Sequence, residues 1–349
     1  MPDQDTTPDR RQFLQQAAYL AAGVTLAGAA AGGAKIEMTD LGPDQIPRKP
    51  LGKTGLAVSC IGLGGYSLGD APSLDEADRI VAEAIDAGVN FCDNAWEYHN
   101  GKSEAWMGHA LAGKRDKVIL MTKVCTHGRD KKMAMQQLEE SLLRLRTDHL
   151  DVWQIHECVY FNDPDWHFAP GGVVEALDEA KKQGKVRFVG FTGHKDPRIH
   201  LKMLSHNYPF DTVQMPLNAF DANFRSFEKN VLPVANERGI AVLGMKSLCG
   251  GGPGFIDAGI TVDEALGYAM SLPVAVTISG IDSLAVLHQN LAIARGFKPW
   301  TEEKMQALRD RCAGFAADGH LELYKSTKKF DGEIGREMHG FPTPQKLPL

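Results

Sequence analysis

Short apolar runs alternate with longer segments of helical period between residues 57 and 278. The apolar runs are rich in β-branched residues and predict strands at 57–63, 89–93, 118–124, 151–155, 186–191, 211–215, 240–245 and 274–278. Their apolar positions are continuous rather than alternating, which is typical of parallel strands covered on both faces. Amphipathic patterns predict helices at 73–88, 133–147, 173–185, 226–239 and 261–272.

Eight strands, each followed by a helix at a spacing of about 30 residues, favour an α/β fold closed into a (β/α)8 TIM barrel. A doubly wound Rossmann sheet is the alternative, but GLGGYSLG at 62–69 lacks the GxGxxG spacing that it requires. The segment RKPLGKTGLAV at 48–58 predicts an N-terminal hairpin at the bottom of the barrel. A helix near 301–316 and a C-terminal tail follow, and we expect the tail to lie over the barrel.

Composition narrows the class of protein. The 349 residues are 43% hydrophobic and 23% charged, which is typical of a soluble globular protein with a large core. The net charge of -6 argues against a nucleic-acid partner, because no basic excess can neutralise phosphates. Six well-separated cysteines form no CxxC pair, which excludes the usual zinc and iron–sulfur spacings. We also expect no structural disulfide, since four of them lie in or beside predicted strands.

The N-terminal segment 1–34 has the pattern of a signal peptide. It resembles a twin-arginine export signal through Arg10, Arg11, Phe13 and Leu14, followed by a weakly apolar run rich in Ala and Gly. Small residues at 27–31 offer cleavage sites. The pattern predicts a periplasmic or exported protein that meets the membrane only during export. An ordinary N-terminal helix or tail is the alternative, and the protein would then be cytoplasmic.

Four polar residues fall at or just after the ends of three neighbouring strands. They are Asp93, Tyr98, Lys123 and His156. In a barrel of this kind the active site lies at the C-terminal ends of the strands, so these side chains are expected to converge. Ser103 and Glu104 follow in a helix-start pattern, for which we expect a structural role.

The four residue types indicate proton transfer to or from a carbonyl oxygen. Asp93 would hold Lys123 charged, and we expect the ammonium to lower the pKa of Tyr98 from its usual value of about 10. Tyr98 could then act as a general acid or base, with His156 bonded to the same oxygen. This chemistry requires no metal, but it requires a hydride, which indicates a nicotinamide cofactor.

The chain from about residue 48 to residue 300 resembles the aldo-keto reductase family. DNAWEYHNGKSE is similar to the family signature that carries the Asp and the Tyr, while MTK and DVWQIH carry the Lys and the His. LGKTGLAVSCIGLGG, KVRFVGFTGH, QMPLN and SGIDSLAVLHQN are similar to further family motifs. The resemblance implies a barrel domain over 46–349, with a C-terminal extension from about 300, that reduces an aldehyde or ketone to an alcohol or catalyses the reverse. A nicotinamide-binding redox sensor or regulatory subunit with little turnover is the alternative.

The resemblance also implies positions that bind the cofactor. These are Thr192, Gly193, His194, Gln214, Asn218, Lys246, Ser247, Leu248, Gly250, Ser279, Gly280, Asp282, Ser283, Gln289 and Asn290. Leu217 stands where the family pattern places a tyrosine that stacks on the nicotinamide, unless Phe220 or Trp96 takes that role. Ile281 and Val286 stand where a Lys and an Arg grip the 2′-phosphate of NADP(H). NADP(H) is the family default, and NAD(H) stays possible.

An aromatic wall is expected around the substrate, which would be a small carbonyl compound or alcohol. We predict that Trp96, Tyr160, Phe161 and Trp166 form this wall, three of them from the long loop after the fourth strand. Such a wall suits sugars, quinoid rings and hydrophobic aldehydes equally well. The tail sequence LELYKSTKKFDG is a candidate lid over the mouth.

Overall fold

The structure is a computed structural model that describes residues 37–39, 41–125, 130–251, 255 and 258–331. The predicted export signal at 1–34 therefore lies outside the described residues, as does the end of the tail from residue 332. Within the described ranges, no helix is long and apolar enough to cross a membrane.

Two sheets contain the strands. Their bounds are β1 (Arg48–Pro50), β2 (Ala57–Ser59), β3 (Ile61–Gly64), β4 (Phe91–Asp93), β5 (Ile119–Val124), β6 (Leu150–Ile155), β7 (Val186–Thr192), β8 (Thr212–Pro216), β9 (Ala241–Met245) and β10 (Val276–Gly280). Strands β1 and β2 form the antiparallel hairpin. Strands β3 to β10 form a closed parallel barrel in sequence order, in which β10 pairs with β3. The predicted (β/α)8 barrel and hairpin are confirmed.

The prediction of one strand at 57–63 is wrong, because these residues form two separate strands. Residues 57–59 pair with β1 in the hairpin, and the barrel strand begins only at Ile61. The side chain of Ser59 donates to the carbonyl of Ile61 at 2.7 Å, and its backbone N–H donates to Oδ1 of Asn90 at 2.7 Å. These bonds turn the chain at a point where the apolar run continues, so the pattern alone does not reveal the break.

Helices follow the strands, and most of them cover the outside of the barrel. They are α1 (Gly65–Gly69), α2 (Leu74–Asp86), α3 (Lys102–Ala110), α4 (Lys131–Leu145), α5 (Asp163–His167), α6 (Val173–Lys182), α7 (Pro197–Ser205), α8 (Phe227–Asn230), α9 (Leu232–Glu237), α10 (Val262–Ser271), α11 (Leu284–Ala294), α12 (Glu302–Ala316) and α13 (Leu323–Ser326). The helix predicted at 226–239 is split into α8 and α9. Pro233 lies in the first turn of α9, where the missing N–H costs least.

The core has two layers. Inside the barrel, Leu51 and Val58 of the hairpin pack with strand residues such as Phe91 and Leu243, so the hairpin closes the bottom. A larger cluster fills the space between strands and helices. All six cysteines are buried. With the bottom closed and the wall covered, the polar residues at the strand ends gather at the opposite rim.

Candidate active site

The aspartate, lysine and tyrosine predicted from the strand ends form one chain of contacts. Asp93 ends β4, and its Oδ1 accepts a 2.5 Å hydrogen bond from Nζ of Lys123. The same ammonium donates to the carbonyl of Asn94 at 2.7 Å and lies 3.3 Å from the phenolic oxygen of Tyr98. Oδ2 of Asp93 accepts a 3.4 Å bond from Gln214. Because Asp93 and Lys123 are both buried, each mainly neutralises the other.

The histidine follows β6 directly and lies beside the tyrosine. The ring of His156 is edge-on to that of Tyr98, with the centroids 5.5 Å apart. Its Nδ1 is 2.5 Å from Oε1 of Glu97. Glu157 completes a cluster in which each residue offers one atom that could bind a metal ion, and these three atoms lie within 4.8 Å of one another. Sequence reasoning missed both glutamates, although each is adjacent to a predicted residue in the chain.

The expected effect of the lysine on the tyrosine is wrong for this structure. The pKa of Tyr98 is raised well above its usual value, first by burial and then by the negative charges of Asp93, Glu157 and Glu97. These effects outweigh the ammonium of Lys123, which is itself paired with an aspartate. Tyr98 is therefore a neutral phenol in this state. It carries a proton that it can donate, but only a strong base would remove that proton.

A second tyrosine at the rim was not predicted. Tyr66 belongs to α1, which directly follows the first barrel strand, and its ring meets that of Tyr98 edge-to-face at 5.3 Å. The Tyr66 side chain is 55% exposed, so it offers an apolar surface beside the phenol. The only sequence signal was a tyrosine at the end of a glycine-rich strand.

Two buried polar atoms fit a nicotinamide carboxamide. Thr192 ends β7 and is the register partner of Gln214 on β8, so the two side chains leave the same face of the sheet. Oγ1 of Thr192 and Oε1 of Gln214 are buried without a hydrogen-bond partner among the described residues. Leaving such an atom unsatisfied costs about 1–3 kcal/mol. A carboxamide both donates and accepts, so it could satisfy a hydroxyl and an amide oxygen together.

The next predicted position cannot carry a side chain. A Cβ on Gly193 would lie 2.4 Å from the carbonyl oxygen of Cys158 and 2.9 Å from the ring of His200. The neighbouring His194 contacts the carbonyl oxygen of Tyr324 through Nδ1 at 3.2 Å. Burial, followed by nearby lysine charges, holds the pKa of His194 well below its usual value. His194 is thus a neutral ring bonded to the C-terminal segment.

The C-terminal segment, residues 321–331, occupies the rim beside other predicted cofactor positions. Asn218 donates to the hydroxyl of Tyr324 at 2.9 Å and to Oε1 of Glu322 at 3.3 Å. Nζ of Lys246 lies 5.2 Å from the ring centroid of Tyr324 and 5.0 Å from that of Phe330. Burial lowers the pKa of Lys246 to about 8. Residues 321–331 of the predicted tail therefore lie over the barrel rim, and the tail from residue 332 lies outside the described residues.

A buried ionic cluster anchors this segment. Nζ of Lys325 donates to Oδ1 of Asp221 at 2.6 Å and to Oε2 of Glu322 at 2.9 Å, and all three side chains are buried. At the far end, Asp331 forms an ion pair with Lys195 at 2.7 Å. These contacts belong to a packed segment and not to a loosely placed lid.

The remaining predicted cofactor positions lie in two loops. After β9, Ser247 is buried and Leu248 is half-buried. Gly250 has φ 72°, and a Cβ added to it would lie 3.6 Å from the ring of Tyr324. After β10, Asn290 donates to Oγ of Ser279 at 2.9 Å, and Ser283 caps the start of α11. Three further positions are exposed: Gly280, Asp282 and Gln289.

The stacking partners considered for the nicotinamide are buried elsewhere. Leu217 and Phe220 belong to the hydrophobic core between strands and helices. The indole N–H of Trp96 donates to Glu140 on α4 at 2.7 Å, and the ring is only 5% exposed. This placement also removes Trp96 from the predicted aromatic wall.

The other wall residues lie on the loop after β6. The hydroxyl of Tyr160 donates to Oδ2 of Asp331 at 3.4 Å, which connects this loop to the C-terminal segment. Phe161 and Trp166 leave about half of their surface exposed, at 52% and 54%. They are large apolar side chains available for contact on this side of the molecule.

The fold is a closed (β/α)8 barrel, and a buried Asp–Lys pair, a tyrosine and a histidine meet at its C-terminal rim. In barrel enzymes this rim is where small molecules bind. The sequence profile of the Aldo/keto reductase family matches residues 60–253, more than half of the chain. The chain belongs to the aldo/keto reductase family.

Individual relatives are moderately similar. Aldo-keto reductase YhdN of Bacillus subtilis (strain 168) is 32% identical over 212 residues, which cover 57% of this chain and 61% of YhdN. The 6-dehydroglucose reductase of Novosphingobium aromaticivorans is 33% identical over 168 residues, which cover 43% of this chain and 53% of that protein. The chain thus spans less than two thirds of the length of these relatives.

Solved structures agree on the fold. An aldo-keto reductase from Pseudomonas aeruginosa is 28% identical with a TM-score of 0.61, covering 76% of this chain and 99% of that one. An aldo/keto reductase from Klebsiella pneumoniae, solved in complex with NADP and acetate, is 22% identical with a TM-score of 0.59. That match covers 75% of this chain and 94% of the other, and it shows the fold alone.

Proposed function

We propose that this protein is a nicotinamide-dependent oxidoreductase that reduces an aldehyde or ketone to an alcohol, or catalyses the reverse, with Tyr98 as general acid and base. The observation that carries the proposal is the contact of Lys123 with both Asp93 and the phenolic oxygen of Tyr98. A proton on Tyr98 can leave toward a substrate oxygen, and the ammonium 3.3 Å away stabilises the phenolate that forms.

The nicotinamide cofactor, when bound, supplies the hydride. Thr192 and Gln214 would hold its carboxamide through the two buried atoms that lack a partner among the described residues. The raised pKa keeps Tyr98 protonated near neutral pH, which is the form that reduction of a carbonyl requires. Oxidation of an alcohol needs the phenolate first, so we infer that it is slow near neutral pH.

The charges beside the loop after β10 support NAD(H) as the cofactor. Oε1 of Glu76 on α2 accepts a 3.3 Å hydrogen bond from the backbone N–H of Leu284, at the start of α11. The N-terminus of a helix otherwise attracts phosphate, and here a carboxylate already lies against it. Asp282 adds another acid, which is exposed. A 2′-phosphate would be repelled at this loop, whereas a ribose diol would not.

Replacing Tyr98 with Phe tests the proposed acid. The hydroxyl is lost and the ring is kept, so reduction of a carbonyl panel containing aldehydes, sugars and quinones should slow by about 10²- to 10⁴-fold. Cofactor binding, followed by tryptophan fluorescence, should change little. Tyr208→Phe is the matched control, because it removes a hydroxyl bonded to Asp178 away from the rim. Unchanged turnover in Tyr98→Phe would refute the role, and binding without turnover in the native protein would favour the sensor alternative.

A further inference from the structure

The glutamate before the tyrosine is held in a rigid loop. The backbone N–H of Trp96 donates to the carbonyl of Lys123 at 3.0 Å, and the carbonyl of Trp96 accepts a 2.9 Å bond from Arg144. One residue later, the carbonyl of Glu97 accepts a 3.1 Å bond from the N–H of Asn100. The chain is thus fixed on both sides of Glu97, whose side chain is 10% exposed and directed to His156.

The strand pairing fixes the backbone of His156 but not the orientation of its ring. Its N–H donates to the carbonyl of Val124 at 3.0 Å, which extends the pairing of β5 and β6 by one residue. The ring orientation depends on side-chain contacts, one of which is the 2.5 Å approach of Nδ1 to Oε1 of Glu97. An ionised carboxylate only accepts hydrogen bonds, so this close approach is favourable when Nδ1 carries the ring proton.

We propose that Glu97 is a positioning residue that acts through His156: it fixes the imidazole by Nδ1 and directs Nε2 to the oxygen of the substrate. The inference rests on the proposed reductase function. Misorientation of the ring would weaken its bond to the oxygen that Tyr98 protonates, and small losses of alignment in such a site cost large factors in rate. Glu97 itself touches no reacting atom in this assignment.

The second glutamate of the cluster does not replace Glu97. Glu157 faces Glu97 and His156, and it also feels Asp331 of the C-terminal segment and Lys246 after β9. Burial, followed by the charge of Glu97, raises the pKa of Glu157 to about 8, so it keeps its proton at neutral pH. Asp93 and Lys123, beside the tyrosine, pair with each other. Glu97 is then the carboxylate that holds the ring.

A double-mutant cycle tests the proposal. Glu97→Ala should lower kcat by about 10- to 100-fold with little change in KM, and Glu97→Gln, which keeps a hydrogen-bonding oxygen, should recover part of the loss. In a His156→Ala background, Glu97→Ala should have no further effect, because its partner is gone. Glu140→Gln is the control, since Glu140 bonds the adjacent Trp96 without contacting His156. Multiplying losses in the double variant would overturn the proposal.

A spectroscopic readout separates this inference from the proposed function. In the unliganded protein, the proton on Nδ1 of His156 should give a low-field NMR resonance that disappears in Glu97→Ala and persists in Glu140→Gln and Tyr98→Phe. That result would support the Glu97 contact even if no carbonyl substrate is turned over. Loss of activity with a chelator and its return with Zn²⁺ would overturn the proposal, because Glu97, His156 and Glu157 would then be metal ligands.

Discussion

Several ionisable residues lie close together at the barrel rim, where burial disfavours their charged forms. Glu157 and Lys246 illustrate the consequence, because burial moves the pKa of each toward about 8, upward for the acid and downward for the base. Both groups therefore change charge in the same pH range. The rim responds to pH as a coupled set of groups, so replacing one of them affects the others.

Glu157→Gln should stabilise the protein at alkaline pH. The pKa of Glu157 is about 8 in the folded state against an ordinary value of 4.5, so the native protein loses stability as pH rises between these values. Glutamine mimics the protonated acid and removes that loss. We expect a gain of about 2–4 kcal/mol at pH ~9 and almost none at pH ~4. Urea unfolding at both pH values measures it.

The exposed Glu237→Gln on α9 is the matched control and should show no such pH-dependent gain. Equal stability of Glu157→Gln and the native protein at pH ~9 would contradict the raised pKa.

The four central residues were predictable because each lies at or just after a strand end, and strand ends converge in a barrel. The sign of the change in the pKa of Tyr98 was not predictable. It depends first on burial and on the charge of Asp93, and then on the charges of Glu157 and Glu97. The side chain of Glu157 approaches the phenol only because β4 and β6 lie in one barrel wall with β5 between them. Spacing along the chain contains no information about that approach.

Among the elements, we expect α11 and the loop before it to set the preference between NADPH and NADH. Val286 stands where the family pattern has an Arg that grips the 2′-phosphate, and it lies in the first turn of α11. Val286→Arg should raise the affinity for NADPH relative to NADH by about 10-fold, the effect of one charge-assisted hydrogen bond. Fluorescence titration with both cofactors measures the ratio.

Ala292→Arg provides the comparison, because it adds the same charge to an exposed position further along α11. An equal response in both variants would mean that only overall charge matters, and no response would mean that this loop does not face the adenosine.

The sequence patterns predicted the barrel elements well and failed at two boundaries. Apolar runs locate strands because every barrel strand is covered on both faces. The break at Cys60 and the break before Pro233 depend on hydrogen bonding, by Ser59 in one case and by a missing N–H in the other. Neither changes the hydrophobic pattern.

At the scale of the whole molecule, the C-terminal segment is a structural part of the rim. Lys325→Ala should leave Asp221 and Glu322 buried without their cation, at a cost of about 3–5 kcal/mol. We expect faster hydrogen exchange in residues 321–331, measured by mass spectrometry, while the barrel strands stay protected.

Lys181→Ala is the control, because it removes an exposed partner of Asp211 and should cost at most about 1 kcal/mol. Unchanged exchange at 321–331 in Lys325→Ala would show that apolar packing alone holds the segment. The sequence predicted that this segment lies over the barrel but not that Lys325 pairs with Asp221, which lies about a hundred residues away in the chain.

The hairpin at the bottom of the barrel has a kinetic consequence. Lys49 donates to the carbonyl of Met270 at 2.7 Å across 221 positions, beside the seam where β10 pairs with β3. Contacts so distant in sequence form late, because a long loop must close before they stabilise anything. Until then, β3 and β10 present two unpaired edges to solvent, which other chains can join. Refolding at high protein concentration should therefore lose material to aggregation at this seam before the barrel closes.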